Sequence, residues 1–376
     1  MIFAFMNIAL MCLGFYIVPD TISIDNASEF NTLVHNACYA ELKLETDIDL
    51  SGTTWKPSQF FGTLDGNGHR VQNLSTGSGK DVAIFTKNTG VVKNLKVTYA
   101  VASLQNISNF GGIAVTNTGK IQNCEVFTNG TIIISAIDDF NFGGIATNLK
   151  GGSVSDCTVT LYLSVSVSNG QTNIGGIVGQ VLSKSGAEIV GCSSTITLNM
   201  TGTNAPTANV GGLAGKVSNI SSDKVDISKN HASVSMTIGG SANRLMVGGL
   251  IGIGESGSEN NYSNGSISVS IAANECNVGG LYGKYENSSP SASINHSYSA
   301  VEFSCDGMTV GGLVGALGGT IKNSFTSQQV VVCGKTLSSL ASYDSVVESG
   351  VTEYNSKFGF DANVWNLPSS ALPTLK

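Results

Sequence analysis

Apolar and polar residues alternate one by one through much of this chain. Ser266-Ile267-Ser268-Val269-Ser270-Ile271 is the cleanest run, and Val159-Thr160-Leu161-Tyr162-Leu163 and Ser233-Val234-Ser235-Met236-Thr237-Ile238 keep the same period. A period of two gives a strand with one face in a core and the other in water. These runs recur within a longer unit. An apolar residue, two glycines and a short apolar stretch begin at Gly111, Gly143, Gly175, Gly211, Gly248, Gly279 and Gly311, with steps of 32, 32, 36, 37, 31 and 32 residues. A degenerate copy stands at Val82-Ala83-Ile84-Phe85. The glycine pair reads as a tight corner that uses the freedom of glycine at positive φ.

About ten residues into each unit comes a second element. It reads Val92-Lys93-Asn94-Leu95, Ile121-Gln122-Asn123-Cys124, Val154-Ser155-Asp156-Cys157, Ile189-Val190-Gly191-Cys192, Ile227-Ser228-Lys229-Asn230, Ile294-Asn295-His296-Ser297 and Ile321-Lys322-Asn323-Ser324. Nothing in the unit has helical spacing, which excludes helical repeats of similar length. Three short strands joined by Gly/Asn/Ser turns make one coil of an all-β, single-stranded parallel β-helix, expected to be right-handed. About eight to ten such coils with a cap at each end are expected. Coils stack about 4.8 Å apart, so eight of them make a rod of roughly 40 Å.

The predicted organisation is a leader over 1–18, an N-terminal cap over 19–50, the solenoid over 51–336 and a C-terminal cap over 337–376. In the N-terminal cap a short helix is expected within Ser28–Ala40, with Phe30, Leu33 and Val34 on one face. The C-terminal stretch loses the repeat and carries Trp365, Pro368 and Pro373. Caps are needed because each end of a solenoid exposes an unpaired strand edge.

Composition sharpens this picture. Of 376 residues 41% are apolar, enough for a core, while only 12% are charged and 6 are proline, which is unlike a disordered chain. The net charge of −7, without any Lys/Arg cluster, excludes a nucleic-acid footprint. The apolar run Met1–Val18 suits a secretory signal, with an uncleaved anchor as the alternative, although it lacks a basic start and a clear cleavage site. Membrane contact is expected only through this leader. The chain has 8 cysteines, one of them in the leader, so the remainder is odd. Leu95, Cys124, Cys157, Cys192, Asn230, Ser297 and Ser324 fall in one column. Its three cysteines read first as a buried thiol ladder, with an inter-coil disulfide or a metal site as lesser readings. Cys305 and Cys333 occupy similar places in successive coils and are the better disulfide candidates, while Cys38 and Cys276 are unassigned.

Chemistry is sparse. Gly252-Ile253-Gly254-Glu255-Ser256-Gly257 fits a dinucleotide fingerprint, but no helix pattern follows it, and Gly79-Lys80 lacks the spaced glycine of a phosphate loop. Neither cofactor nor metal is expected. Asp138-Asp139 is the only adjacent carboxylate pair within the coils, and Asp65 and His69 share the first coil. These read as loop residues, or, in the alternative of a polysaccharide lyase or hydrolase, as candidate acids. Asn-x-Ser/Thr sequons make Asn73, Asn106, Asn129, Asn199, Asn219, Asn264 and Asn287 candidate glycan acceptors. Asn26, Asn261 and Asn295 complete the set, the last two near strand positions.

Gly-Leu-hydrophobic-Gly recurs at Gly212–Gly215, Gly249–Gly252, Gly280–Gly283 and Gly312–Gly315, with Gly176–Gly179 close to it. These repeats resemble the GLUG-motif family. So do the opening Thr46–Leu50, Trp55, Phe61–His69 and Val71–Leu74, and the closing Phe360-Asp361, Val364-Trp365 and Leu372–Leu375. The resemblance covers nearly all of the chain after the leader. In the coils at Ile113-Ala114-Val115 and Ile145-Ala146-Thr147 the last glycine is missing. The resemblance implies a parallel β-helix on a secreted or cell-surface protein and no single activity. Some relatives carry a zinc peptidase elsewhere in the chain, but this sequence has no HExxH. The reading is therefore an extracellular, adhesion-type or ligand-binding scaffold that is not an enzyme. Its partner would be a protein or glycan of a host or neighbouring cell surface.

Overall fold

A computed structural model of the chain describes residues 21–376 except 78, 101, 184–185, 220–224, 288–291, 306–307, 327–330, 333–334, 337–357 and 369–371. The leader, Cys333 and all of 337–357 therefore lie outside the described residues. The chain winds into a parallel β-solenoid of about eight turns. Three long sheets of 11, 17 and 9 strands run along it.

The second repeat element builds the 11-stranded sheet. Val91–Lys93, Lys120–Gln122 and Ser153–Ser155 pair in register, one coil apart. The sheet begins earlier than the repeat does, because Ile22–Ile24 pairs with Glu41–Leu44 and this with Thr63–Asp65. Between the first two strands the helix Ala27–Asn36 covers the end of the core. Asn26 caps it by accepting from the Glu29 N–H at 2.9 Å. Phe30 and Val34 face inward, and Phe30 packs on Trp55 with rings 5.2 Å apart. The Trp55 indole donates to the Ile84 carbonyl at 2.8 Å, which fixes helix and first coil together.

Two features differ from the sequence expectation. Three short strands per coil were expected, but Ser193–Gly211, His231–Gly248 and Tyr262–Gly279 each run unbroken around one corner. Ala205, Ala242 and Ala273 stack in register along these strands, and the first two strands slip register between Met200 and Thr203.

The glycine pairs also work differently. None of them has a positive φ. At Gly111, Gly143, Gly175, Gly211, Gly248, Gly279 and Gly311 a Cβ would overlap the carbonyl oxygen three residues on, so the bend itself has no room for one. At the second glycine a Cβ would overlap the carbonyl of its counterpart in the next coil, as Gly212 against Gly249. The left-handed corner lies elsewhere, after the second element, at Asn94, Asn123, Asp156, Gly191, Lys229, Asn260, His296 and Asn323. Asparagine dominates there because its short polar side chain tolerates this conformation best among non-glycine residues.

Candidate functional site

The inward column places Leu95, Cys124, Cys157, Cys192, Asn230, Asn261, Ser297 and Ser324 side by side, all buried. Each cysteine thiol lies near two carbonyls, one in its own coil and one in the coil before. For Cys157 these are Ser155 at 3.2 Å and Ile121 at 3.7 Å. Asn230 and Asn261 donate to the matching carbonyls of Ile189 and Ile227 at 2.8 and 3.0 Å. The column thus satisfies strand carbonyls inside the core. Burial raises the Cys157 thiol well above its ordinary pKa, and the neighbouring thiols of Cys124 and Cys192 add to this. A thiol so held is a poor nucleophile and a poor ligand. Among the described residues no group of three or more His, Cys, Asp or Glu could hold a metal ion.

The residues flagged for acid–base chemistry are divided between separate contacts. Asp65 accepts from Asn94 at 3.0 Å and from the Asn67 N–H at 2.8 Å, and pairs with Lys93 at 3.3 Å. Partial burial opposes ionisation, yet these bonds hold its carboxyl below the usual range. His69 stands against Asp47 instead, at 3.4 Å. Gly252–Gly257 forms strand and turn in the 9-stranded sheet and opens no helix.

The sequons differ in access. Asn106, Asn129 and Asn199 are exposed, and Asn73, Asn219, Asn264, Asn287 and Asn295 are half-buried. Asn261 is wholly enclosed. Cys305 is buried beside the strand of Val269, and its suggested partner Cys333 lies outside the described residues.

The outer face of the 17-stranded sheet brings other residues together. Thr195, Thr197 and Asn199, then Ser233, Ser235 and Thr237, face outward in register. Toward the N-terminal coils this hydroxyl face acquires apolar side chains. Ile133, Ile137 and Tyr162 are 48%, 50% and 43% exposed, three of the four large apolar residues so exposed among the described residues. Ile133 pairs with Ser164, two residues beyond Tyr162. Tyr162 is uncovered because the preceding coil bulges there. Residues 128–131 oppose only Leu161 and Tyr162, and the Tyr162 N–H bonds the Thr128 hydroxyl at 3.0 Å in place of a strand carbonyl. Gly130, at φ 107, makes the bulge.

The stripe ends in a cleft of about 460 Å³ lined by Lys80, Ser108, Asn109, Asp138, Asp139 and Asn141. Asp139 accepts from the Gln171 N–H at 2.7 Å and so holds the corner of the next coil. Asp81 and Asn141 accept from Asn109 and Asn173, both at 2.8 Å. Lys80 and Asp138 are exposed and make no ion pair among the described residues. The arrangement offers an apolar platform, then a carboxylate, an ammonium and amides for hydrogen bonding. Sequence reasoning flagged Asp138-Asp139 but not Tyr162 or Ile133, since strand alternation alone marks an outward residue and not an uncovered one.

No family model matches the chain, and no curated protein matches it. Among solved structures it is similar to a candidate immunoglobulin A1 protease from Bacteroides ovatus. The identity is 18% and the TM-score 0.46, over 95% of this chain and 92% of that one. It is also similar to an IgA1 protease, at 15% identity and a TM-score of 0.46, over 81% of this chain and 21% of that one.

Proposed function

We propose that this protein is a secreted or cell-surface solenoid of GLUG-motif type that binds a glycan chain along one face and does no chemistry on it. The observation that carries this reading is the stripe Tyr162–Ile133–Ile137 ending in the cleft of Lys80 and Asp138. Sugar rings present apolar C–H faces and polar edges. Alternating apolar and hydrogen-bonding groups along a rigid strand face suit them better than they suit a flat protein epitope. The strand Ile132–Ala136 spans about 13 Å, room for two or three sugar units, and Ile137 follows it in the bend. An exposed apolar patch rimmed by polar groups is a common mark of a binding surface. Display outside the cell is the setting in which such a face would meet its ligand.

The test is a screen of immobilised glycans with the full chain, followed by titration of the best ligand. Tyr162→Ala and Asp138→Asn should each weaken binding about tenfold. Unchanged binding in both would overturn the site. Release of new reducing or unsaturated ends during the titration would overturn the non-catalytic reading in favour of a lyase or hydrolase.

A further inference from the structure

One side chain ties the C-terminal end of the cap helix Ala27–Asn36 to the first coil. The helix carries its acid, Glu29, in the first turn and its base, His35, in the last, the order that suits the field of a helix. Glu29 is engaged at the N-terminal end, where it accepts from the Asp25 N–H at 2.9 Å. His35 reaches in two directions. Its Nδ1 stands 2.6 Å from the carbonyl oxygen of Asn31, one turn back in the helix. Its Nε2 stands 2.8 Å from the carbonyl oxygen of Lys56, in the first coil.

Both partners are backbone carbonyls, which only accept. A neutral imidazole has one N–H and one lone pair. In either tautomer one nitrogen would turn its lone pair on an oxygen at hydrogen-bond distance. Only the imidazolium donates at both ends. Two neighbours favour the same charge. The Trp55 ring lies 4.9 Å from the imidazole, within reach of a cation. The last turn of a helix also presents carbonyls that lack helical partners. The helix packs on Ile48–Asp49 and Ser58–Phe60. The charged groups on that side are Asp49, whose carboxylate accepts from the Ser51 N–H and from Asn73, and the exposed Lys56. The histidine–carboxylate pairs among the described residues belong to His69 and His296, so no carboxylate takes either His35 proton.

We propose that His35 is a proton-operated latch on the N-terminal cap. The doubly protonated ring bridges helix and first coil, and loss of one proton opens one of the two bonds. The latch therefore closes in acid. Its contribution is complete below the ordinary histidine value, about 6.5, and is lost as the pH rises beyond it. The element it holds is the one whose Phe30 packs on Trp55 at the end of the core. The pH thus sets how often the edge of the first coil is uncovered, and an uncovered strand edge is open to pairing with another chain. The latch goes beyond the binding stripe on the outer face, and neither depends on the other.

Hydrogen exchange of the full chain, corrected for intrinsic rates, would follow Ala27–Asn36 relative to the central coils on either side of the histidine range, at about pH 5.5 and about pH 8. Protection of the helix should fall about tenfold from the lower pH to the higher. In His35→Gln, which is neutral throughout, that dependence should vanish. NMR of the histidine ring nitrogens gives an independent reading on the unaltered chain. At the lower pH His35 should show two ring N–H protons shielded from exchange with water, one facing Asn31 and one facing Lys56. Equal helix protection at both pH values, an undiminished dependence in His35→Gln, or a His35 ring with a single shielded N–H at the lower pH would each overturn the proposal.

Discussion

The Oδ1 atom of Asn261 receives both the backbone N–H of Asn230, at 2.9 Å, and the Asn230 side-chain amide, at 3.0 Å. Asn230 in turn accepts from the Cys192 N–H at 2.9 Å and donates to the Ile189 carbonyl at 2.8 Å. A polar residue is thus stitched into the core at the point where cysteines give way to asparagines. Asn230→Ala would leave the Cys192 N–H buried without its partner and remove one of the donors to the Ile189 carbonyl. An orphaned buried group costs about 1–3 kcal/mol, and the variant should lose about that much in chemical denaturation. A loss under about 0.5 kcal/mol would show that the pair is replaceable filling.

The same column predicts thiol reactivity. Cys124, Cys157 and Cys192 are enclosed, while Cys38 and Cys276 are half-buried. Burial, with Cys305 nearby, pushes the Cys276 thiol up to about 12. Alkylation of the native protein in mildly alkaline buffer should label Cys38 first, Cys276 slowly and the three column cysteines only in denaturant. Peptide mass spectrometry reads the order. Labelling of Cys157 in the native state would contradict a closed core.

Two glycines should respond in opposite ways. At Gly212 a Cβ would overlap the Gly249 carbonyl and press on Ala232 and Val234, so Gly212→Ala must push adjacent coils apart. It should cost more than about 4 kcal/mol or abolish folding. Gly191 sits at φ 68 in the corner where other coils carry asparagine, and a Cβ there would meet the movable carboxylate of Asp156. Gly191→Asn should be neutral or stabilising by up to about 1 kcal/mol, because the unfolded chain loses freedom. Equal melting shifts in the two variants would refute the distinction between space and conformation.

These contrasts show what the sequence made legible. Strand alternation and the glycine pair located every coil between Val82 and Gly311, because burial of one face imposes a period of two regardless of neighbours. The rung at Ser258–Glu259 gave no signal, since a serine stands where its neighbours have isoleucine. Its pairing with Ile294 is imposed by the coils on either side. Asn261, in the next position of the inward column, escaped for the same reason. The role of the glycine pair was misread because steric room in a bend depends on which carbonyl passes nearby, which no local pattern encodes. The exposure of Tyr162 depends on a bulge in another coil, and the packing of Trp365 on Tyr262 joins residues more than a hundred positions apart.

Glycan acceptors can be ranked by the same geometry. Asn261 makes four side-chain hydrogen bonds, donating to the Ile227 and Glu259 carbonyls and accepting two from Asn230. A glycan there is incompatible with the coil. In a host that glycosylates secreted proteins, exposed Asn106 and Asn129 should be occupied in the folded product and Asn261 should be bare. Glycopeptide mapping tests this, and an occupied Asn261 in folded protein would contradict the column.

His231 predicts a pH response of the C-terminal segment, whose Trp365 packs on the same Tyr262 ring as the imidazole does. Burial against Tyr262 lowers its pKa, with Asn264 opposing the shift. The folded chain therefore takes up the proton less readily than the unfolded one. The stability from the neutral ring is complete above the ordinary histidine value, about 6.5. It is lost as the pH falls from there through the lowered folded value. Hydrogen exchange at Trp365–Asn366 should then quicken, relative to the central coils, between neutral and mildly acidic pH after correction for intrinsic rates. In His231→Gln the pH dependence should flatten. Persistence of the full dependence in that variant would assign it to groups other than the His231 ring.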